Sequence, residues 1–322
     1  MTKQTKKTAP ETVKADVYTR ITDAFVTALE AATSPTEWPW VKAASAGNPV
    51  NVVTGRSYRG INRLMLGGAV AAGMSPWFGT FRQWQEKGAQ VRKGSKGTLV
   101  VYWGELWVDA EGNRVEATAP GAQKIVYPKG STVFSASQVD GWTAPIAAAD
   151  AVKVEPIEEA ERFVEATGAY VIEQGDSAFY RPATDTITMP ARGLFRDTRE
   201  ASASVHFYGT LLHELMHWTA PKARCDRDLT GRFGSESYAA EELIAEIGAA
   251  FLAADLGLSP IPRADNVSYV ASWLRVLKND KRAIFTAAAA AARASDFLHA
   301  FQPAAAEPEE IEPEAETFQR AA

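Results

Sequence analysis

His213-Glu214-Leu215-Met216-His217 is the stretch on which the reading of this chain turns. On a helix, residues four apart project from one face, one turn apart. Two imidazoles so placed can bring ring nitrogens to about 2.0–2.1 Å from one Zn²⁺. The glutamate after the first histidine falls beside the open coordination position, where it can take a proton from water as a general base. The pattern needs a helix, and its surroundings supply one. Val205, Phe207, Tyr208, Leu211, Leu212, Leu215 and Met216 recur at helical spacing. Asp197 or Thr198 can cap the start, and Pro221 stops the continuation. The plainer alternative is a core helix whose histidines only make hydrogen bonds. The chain has 4 histidines in 322 residues, His206, His213, His217 and His299, so the pairing does not come from histidine abundance.

A zinc site needs a third protein ligand, and a second helix offers it. In Tyr238-Ala239-Ala240-Glu241-Glu242-Leu243-Ile244-Ala245-Glu246-Ile247, Glu242 and Glu246 share one helical face. Leu243, Ile247, Ala250 and Phe251 form the apolar stripe beside them. Acids next to a buried stripe are costly without a cation or hydrogen bonds, and a metal with its surrounding shell supplies both. Glu242 is therefore read as the ligand and Glu246 as the carboxylate that orients His213 or His217. The alternative leaves one or both acids on a solvated edge. Asp226, on a loop, is the rival third ligand. His206 lies two turns, about 10.5 Å, before His213, too far for the same ion. Cys225 is the only cysteine, so no intrachain disulfide can form, and it reads as a bystander thiol.

Hydrophobic residues make up 46% of the chain and charged residues 23%, which suits a globular protein of two domains. One cysteine and no apolar run long enough to cross a bilayer point to a reducing cytoplasm and no membrane span. The lysine-rich start lacks an apolar stretch and does not read as a secretory signal. The net charge of −5 is unevenly spread. Between Asn51 and Trp103 stand Arg56, Arg59, Arg63, Arg82, Lys87, Arg92, Lys93 and Lys96, with Glu86 as the sole acid. The far end is a Pro-punctuated acidic run that cannot bury a core.

Periodicity predicts a helix over Asp16–Ala32, strands over Thr98–Val108 and Ile125–Phe134 around a turn at 109–113, and an Ala/Pro linker. A helix near 160–166, three short strands up to Met189, the two metal-bearing helices and two further helices follow. The expected fold class is α+β. A mixed α/β domain spans 15–145, a linker 146–156, and a second domain 157–302, with loose tails at 1–14 and 303–322. A small sheet followed by a metal-bearing helix pair is the zincin arrangement. The two domains are expected to act separately, the region before Asp150 even in isolation.

The basic segment interleaves charge with Tyr58, Trp77, Phe81, Trp84, Tyr102, Trp103 and Trp107. Lysine and arginine neutralise phosphates, and exposed rings stack on unpaired bases. The candidate DNA-binding residues are Arg56, Tyr58, Arg59, Asn62, Arg63, Trp77, Trp84, Arg92, Lys93 and Lys96. The same composition equally suits a tryptophan core beneath a solvated charged face. If the segment binds nucleic acid, single strands are favoured over duplex, because aromatics dominate and no helix-turn-helix or zinc-finger pattern occurs.

Several stretches resemble the N-terminal domain of ArdC-type antirestriction proteins: Tyr18–Asp23, Trp38-Pro39-Trp40, Thr54–Asn62 and Val91–Gly97. Tyr208–Glu214, Tyr238–Glu246 and Tyr269–Leu274 resemble the zincin domain of the same family. The chain departs from that pattern at Ala220–Cys225. The resemblance implies a cytoplasmic protein of plasmids or phages. It would bind single-stranded DNA, carry a metallopeptidase-like domain with an unidentified protein substrate, and protect incoming DNA from restriction. A related module in plasmid primases means the first domain alone does not fix the role. On this reading His213, His217 and Glu242 hold Zn²⁺, Glu214 is the general base and Tyr238 stabilises the oxyanion. Two alternatives stay open: a DNA-masking protein with a structural or vestigial metal, and a regulatory zinc protease whose basic domain docks a protein.

Overall fold

A computed structural model describes residues 16–145, 156–231, 235–262 and 264–303. The expected tails, and all but the last residue of the expected linker, lie essentially outside these residues. Helix α1 (Val17–Ala31) starts where the Asp16 carboxylate accepts the Thr19 N–H, and it buries Ile21, Phe25, Val26 and Leu29. It is followed by α2 (Pro39–Ser45), β1 (Val50–Asn51), α3 (Gly60–Ala71), β2 (Trp77–Gly79) and α4 (Phe81–Glu86). Then come β3 (Gln90–Val91), β4 (Thr98–Val108), β5 (Arg114–Val115), β6 (Gln123–Ser135) and β7 (Val139–Asp140). Five of these strands form a sheet in the order β1-β2-β6-β4-β5, while β3 pairs with β7. The long antiparallel β4–β6 pairing, Thr98↔Val133 to Val108↔Gln123, is its backbone.

The second half opens with α5 (Pro156–Thr167), then β8 (Tyr170–Glu173), β9 (Phe179–Arg181) and β10 (Thr186–Met189). These strands form a sheet ordered β8-β10-β9, with β10 parallel to β8 and antiparallel to β9. All four residues of the central β10 are buried, as expected for a strand paired on both sides. The remaining helices are α6 (Ala203–Trp218), α7 (Glu236–Asp255), α8 (Val270–Asn279) and α9 (Ala283–His299). At Gly248 on α7, an added Cβ would lie 2.0 Å from the methyl carbon of Met216 on α6. Glycine there lets the two metal-motif helices close together.

Each half has apolar clusters of its own, and a further cluster is shared between them. Ile21, Phe25, Trp38, Trp40 and Leu64 pack in one cluster with Leu243, Ile247, Phe251, Trp273 and Ile284. The rings of Trp38, Trp40 and Trp273 stand 5.2–5.5 Å apart, centroid to centroid. Polar ties run along the same seam. The Thr22 hydroxyl donates to the Lys281 carbonyl at 2.7 Å, Lys281 pairs with Asp23, and Lys278 pairs with Glu30. Arg63 lies over the Phe251 ring and reaches Asp255 at 2.8 Å. The side chains that complete the first half's part of this shared cluster come from α7, α8 and α9, which weighs against a first half that acts in isolation. No described helix is long and apolar enough to cross a membrane.

Candidate metal centre

Ser202, not Asp197 or Thr198, caps α6, its hydroxyl accepting the Val205 N–H. Asp197 and Thr198 still tie the approach, accepting from the Ala203 and Ala201 N–H groups. The helix ends at Thr219, two residues before Pro221. Helix α7, capped by Ser235, crosses α6 and presents a row of buried acids to it.

His213 Nε2 and His217 Nε2 are 3.2 Å apart. Glu242 closes the triangle with Oε2 3.4 Å from His213 Nε2 and Oε1 3.5 Å from His217 Nε2. A tetrahedral ion bound at about 2.0–2.1 Å holds its ligand atoms about 3.3–3.4 Å apart. The donor triangle thus has the edge length such an ion requires. Among the described residues these three alone form a metal-competent group. Charge points the same way. Glu214, Glu241, Glu242 and Glu246 are all buried, against the single buried guanidinium of Arg227. Neutral histidines leave this cluster strongly negative, and a dication offsets most of that charge.

Both histidines are held from behind. Glu246 Oε1 lies 3.1 Å from His213 Nδ1, at ion-pair distance rather than in hydrogen-bond alignment. Glu241 Oε1 lies 3.2 Å from His217 Nδ1. Arg227 grips that glutamate through both its oxygens, at 2.9 and 3.0 Å, and also donates to the Thr219 hydroxyl and the Met216 carbonyl. A carboxylate behind a ring fixes its tautomer and turns the far nitrogen toward the ion. Burial works against a charged His213 and a charged Glu242, but the mutual contacts outweigh it. The His213 imidazole is raised above its ordinary pKa and the Glu242 carboxyl is held below its own.

The triad opens on a cleft of about 950 Å³ that Glu214 and Tyr238 also line. Phe179 and Tyr180 of the edge strand β9, Leu194, Phe195 and Ile261 wall it. The Tyr238 hydroxyl lies 3.2 Å from that of Tyr269. Burial, that hydroxyl and the Glu242 carboxylate push the Tyr238 phenol up, so it remains a donor throughout the neutral range.

Sequence reasoning missed Glu241 and Arg227. A step of about 100° around the helix separates Glu241 from Glu242, so helical periodicity alone does not put the two on one face. Its burial among α6 residues was visible only in three dimensions. Asp226 is exposed and stands outside the ligand group. His206 Nε2 pairs with the Thr198 hydroxyl at 2.9 Å and also stands outside it. Cys225 packs against the apolar cluster around Phe163, Phe207, Leu211 and Leu215.

The candidate DNA-binding residues divide. Trp84 is fully buried, its indole N–H donating to the Phe134 carbonyl, so it cannot stack on a base. The Asn62 amide is spent on both backbone groups of Val101, at 2.6 and 2.7 Å. Arg63 belongs to the seam with Asp255. Those three are corrected to structural roles. Arg59 pairs with Asp296 and Arg92 with Asp140. Tyr58 and Trp77 are half-buried, against Asn51 and Trp142 respectively. Arg56, Lys93 and Lys96 are exposed and make no ion pair among the described residues.

Comparison with known proteins places these features in context. Residues 15–134 match the N-terminal domain of the anti-restriction factor ArdC, and residues 158–290 match a zincin-like metallopeptidase domain. The crystal structure of the metal-free antirestriction ArdC protein from the R388 plasmid aligns with a TM-score of 0.72 at 40% identity, covering 89% of this chain and 98% of that one. Its Mn(II)-bound form aligns with a TM-score of 0.71 at 38% identity and the same coverage. The protein y4eC of Sinorhizobium fredii (strain NBRC 101917 / NGR234) is 42% identical over 294 residues, 89% of this chain and 92% of its own length. A DNA primase TraC of Escherichia coli is 38% identical over 298 residues, 88% of this chain. A second primase of that name is 36% identical over 316 residues, 90% of this chain. The chain spans 20% and 28% of those two primases.

Proposed function

The chain belongs to the ArdC family of antirestriction proteins, and from that premise we propose that it is a zinc-dependent peptidase that also binds single-stranded DNA and protects incoming DNA from restriction. The observation that carries the peptidase reading is the donor triangle of His213, His217 and Glu242, with Glu214 in the same cleft. His₂Glu donor sets favour zinc over harder divalent ions, although the R388 relative has been crystallised with Mn(II). A bound dication would polarise a peptide carbonyl and lower the pKa of water in the cleft.

The chain's own residues then divide the work. Glu246 and Glu241 stand at the Nδ1 side of the two imidazoles, which would leave each Nε2 free to hold a metal. Glu214 takes the proton of the attacking water as its oxygen bonds to the carbonyl carbon. It returns that proton to the amine nitrogen as the C–N bond breaks. The protonated Tyr238 hydroxyl can donate to the carbonyl oxygen as negative charge gathers there. Glu214 and Tyr238 serve chemistry and not metal retention in this scheme, which separates a working site from a structural one.

The test compares zinc-loaded wild type with Glu214→Ala at equal metal content, on an unfolded protein such as casein. The expected result is cleavage by wild type and none by the variant, with zinc and single-stranded DNA binding retained by both. Equal cleavage by both removes the peptidase reading. The DNA reading is supported by the basic excess between residues 51 and 103 and by the exposure of Arg56, Lys93 and Lys96. If Glu214→Ala still protects DNA from restriction, masking suffices; if protection is lost, a host protein is the target.

A further inference from the structure

The β4–β6 hairpin outgrows the body it belongs to. Near its base both faces are covered. Val100 and Val133 pack with Leu66 and Phe78, and Val101 joins the shared core. From Tyr102 to Glu105 the cover thins, and it returns only at Val108. Tyr102 is 50% exposed, and Ile125 and Val126 near the far end are exposed as well. A half-exposed ring on the stretch where β4 pairs with β6 alone has no role in the core.

Alternation puts Tyr102 and Gly104, with their partners Lys129 and Tyr127, on one face of the ribbon. Gly104 is what shapes this face. An added Cβ would sit 2.9 Å from Cζ of Tyr127 and 3.0 Å from Cε of Lys129. Glycine lets the end of that ring and the lysine stem settle onto the opposite strand. The Lys129 ammonium then stands 5.8 Å from the Tyr102 ring centre and 5.2 Å from that of Tyr127. A cation is thereby held among two rings.

We propose that this face, Tyr102, Tyr127 and Lys129 over Gly104, is the seat of single-stranded DNA, with bases stacked on the rings and a phosphate at the ammonium. The inference rests on the DNA-binding reading above and locates its surface. Ring faces with a cation between them suit a chain that alternates flat bases with phosphates. A second copy docking its own apolar ribbon would have to desolvate that ammonium without an anion. The segment that leads into β4 carries the exposed Lys93 and Lys96. Duplex offers no free base faces to such rings. With Trp84 buried, the stacking role moves from the sequence-predicted tryptophan to this ribbon.

The test uses the full chain, a labelled oligo(dT) and fluorescence anisotropy over a range of salt. Tyr102→Ala and Tyr127→Ala should each weaken binding roughly 5- to 150-fold while leaving the salt slope unchanged, because no charge is lost. Lys129→Gln should lower that slope by about 0.7. Gly104→Val keeps every ring and charge but pushes Tyr127 and Lys129 aside, so it too should weaken binding. Trp103→Ala, on the opposite face, is the control and should stay within about twofold. Tyr102, Trp103 and Lys129 are exposed and Tyr127 is half-buried, and an unchanged melting temperature confirms that each variant is folded. Wild-type binding that survives Tyr102→Ala and Tyr127→Ala overturns the ribbon alone. No binding by wild type overturns the DNA reading and the ribbon with it. Self-association of wild type that the same variants abolish gives the face to a second copy and overturns the proposal.

Discussion

Glu241, Glu242 and Glu246 are three acids within one stretch of α7, and geometry gives each a different task. Glu242 faces both Nε2 atoms, so Glu242→Ala should empty the site. Glu246 and Glu241 stand behind the imidazoles, and removing either should weaken metal affinity about 10- to 100-fold, as measured by competition with a chelator. Arg227→Met should act differently. It leaves Glu241 buried without its guanidinium, and stripping one partner from a buried pair costs about 3–5 kcal/mol, readable in urea unfolding. Protons compete with the metal at the same atoms. His213, raised above its ordinary pKa when the site holds no ion, must release its proton to ligate. Zinc affinity should therefore rise with pH across the neutral range, about tenfold per unit for each proton displaced. Asp255 provides the acid counterpart. Burial raises it, but His299, Arg63 and Asn48 outweigh burial and lower its pKa. Its folded value lies below its unfolded one, so its contribution is present above the ordinary aspartate pKa and fades as pH falls through the lowered value. Melts taken from about pH 6 down to pH 2 should show Asp255→Asn losing less stability than wild type over that range.

At the scale of elements, what could be read depended on whether a segment's partners were local. The apolar stripe of α1, the strands β4 and β10 and the two metal-motif helices carry their period within themselves, so their positions were legible. The pairing of His213 with His217 was legible too, because one helical turn fixes which residues of one helix face together. The approach of Glu242 from α7 is instead a tertiary contact. Glu241 was not legible, since its burial depends on Arg227, 14 residues upstream on a loop. Trp84 and Trp77 show the limit from the other side. A tryptophan beside basic residues reads alike as a stacking platform or a core residue, and only the packing of Trp84 against Trp142 decides. The same ambiguity hid the ribbon, whose exposure follows from the length of β4 and β6 relative to the helices that cover them.

Across the whole molecule, the division into two halves concerns topology more than stability. Trp38 and Trp40 from the first half and Trp273 from the second meet in one buried cluster. Trp273→Ala should cost about 3–5 kcal/mol and lower the single unfolding transition of the whole chain, not that of one half. A fragment of residues 16–145 would expose the same face to water and is expected to be unfolded or aggregated by circular dichroism and sedimentation. A folded, monomeric fragment would show that the seam is dispensable. Such continuity puts α2 directly behind α7, so the helix that carries Glu242 rests on the half that carries the basic surface. Everything functional in this account still depends on one site built from two helices. The most direct test is zinc content by mass spectrometry of the purified full chain, wild type against Glu242→Ala, with both shown to be folded. The account predicts about one zinc per wild-type chain and none retained by the variant; zinc held at the wild-type level by Glu242→Ala would contradict it.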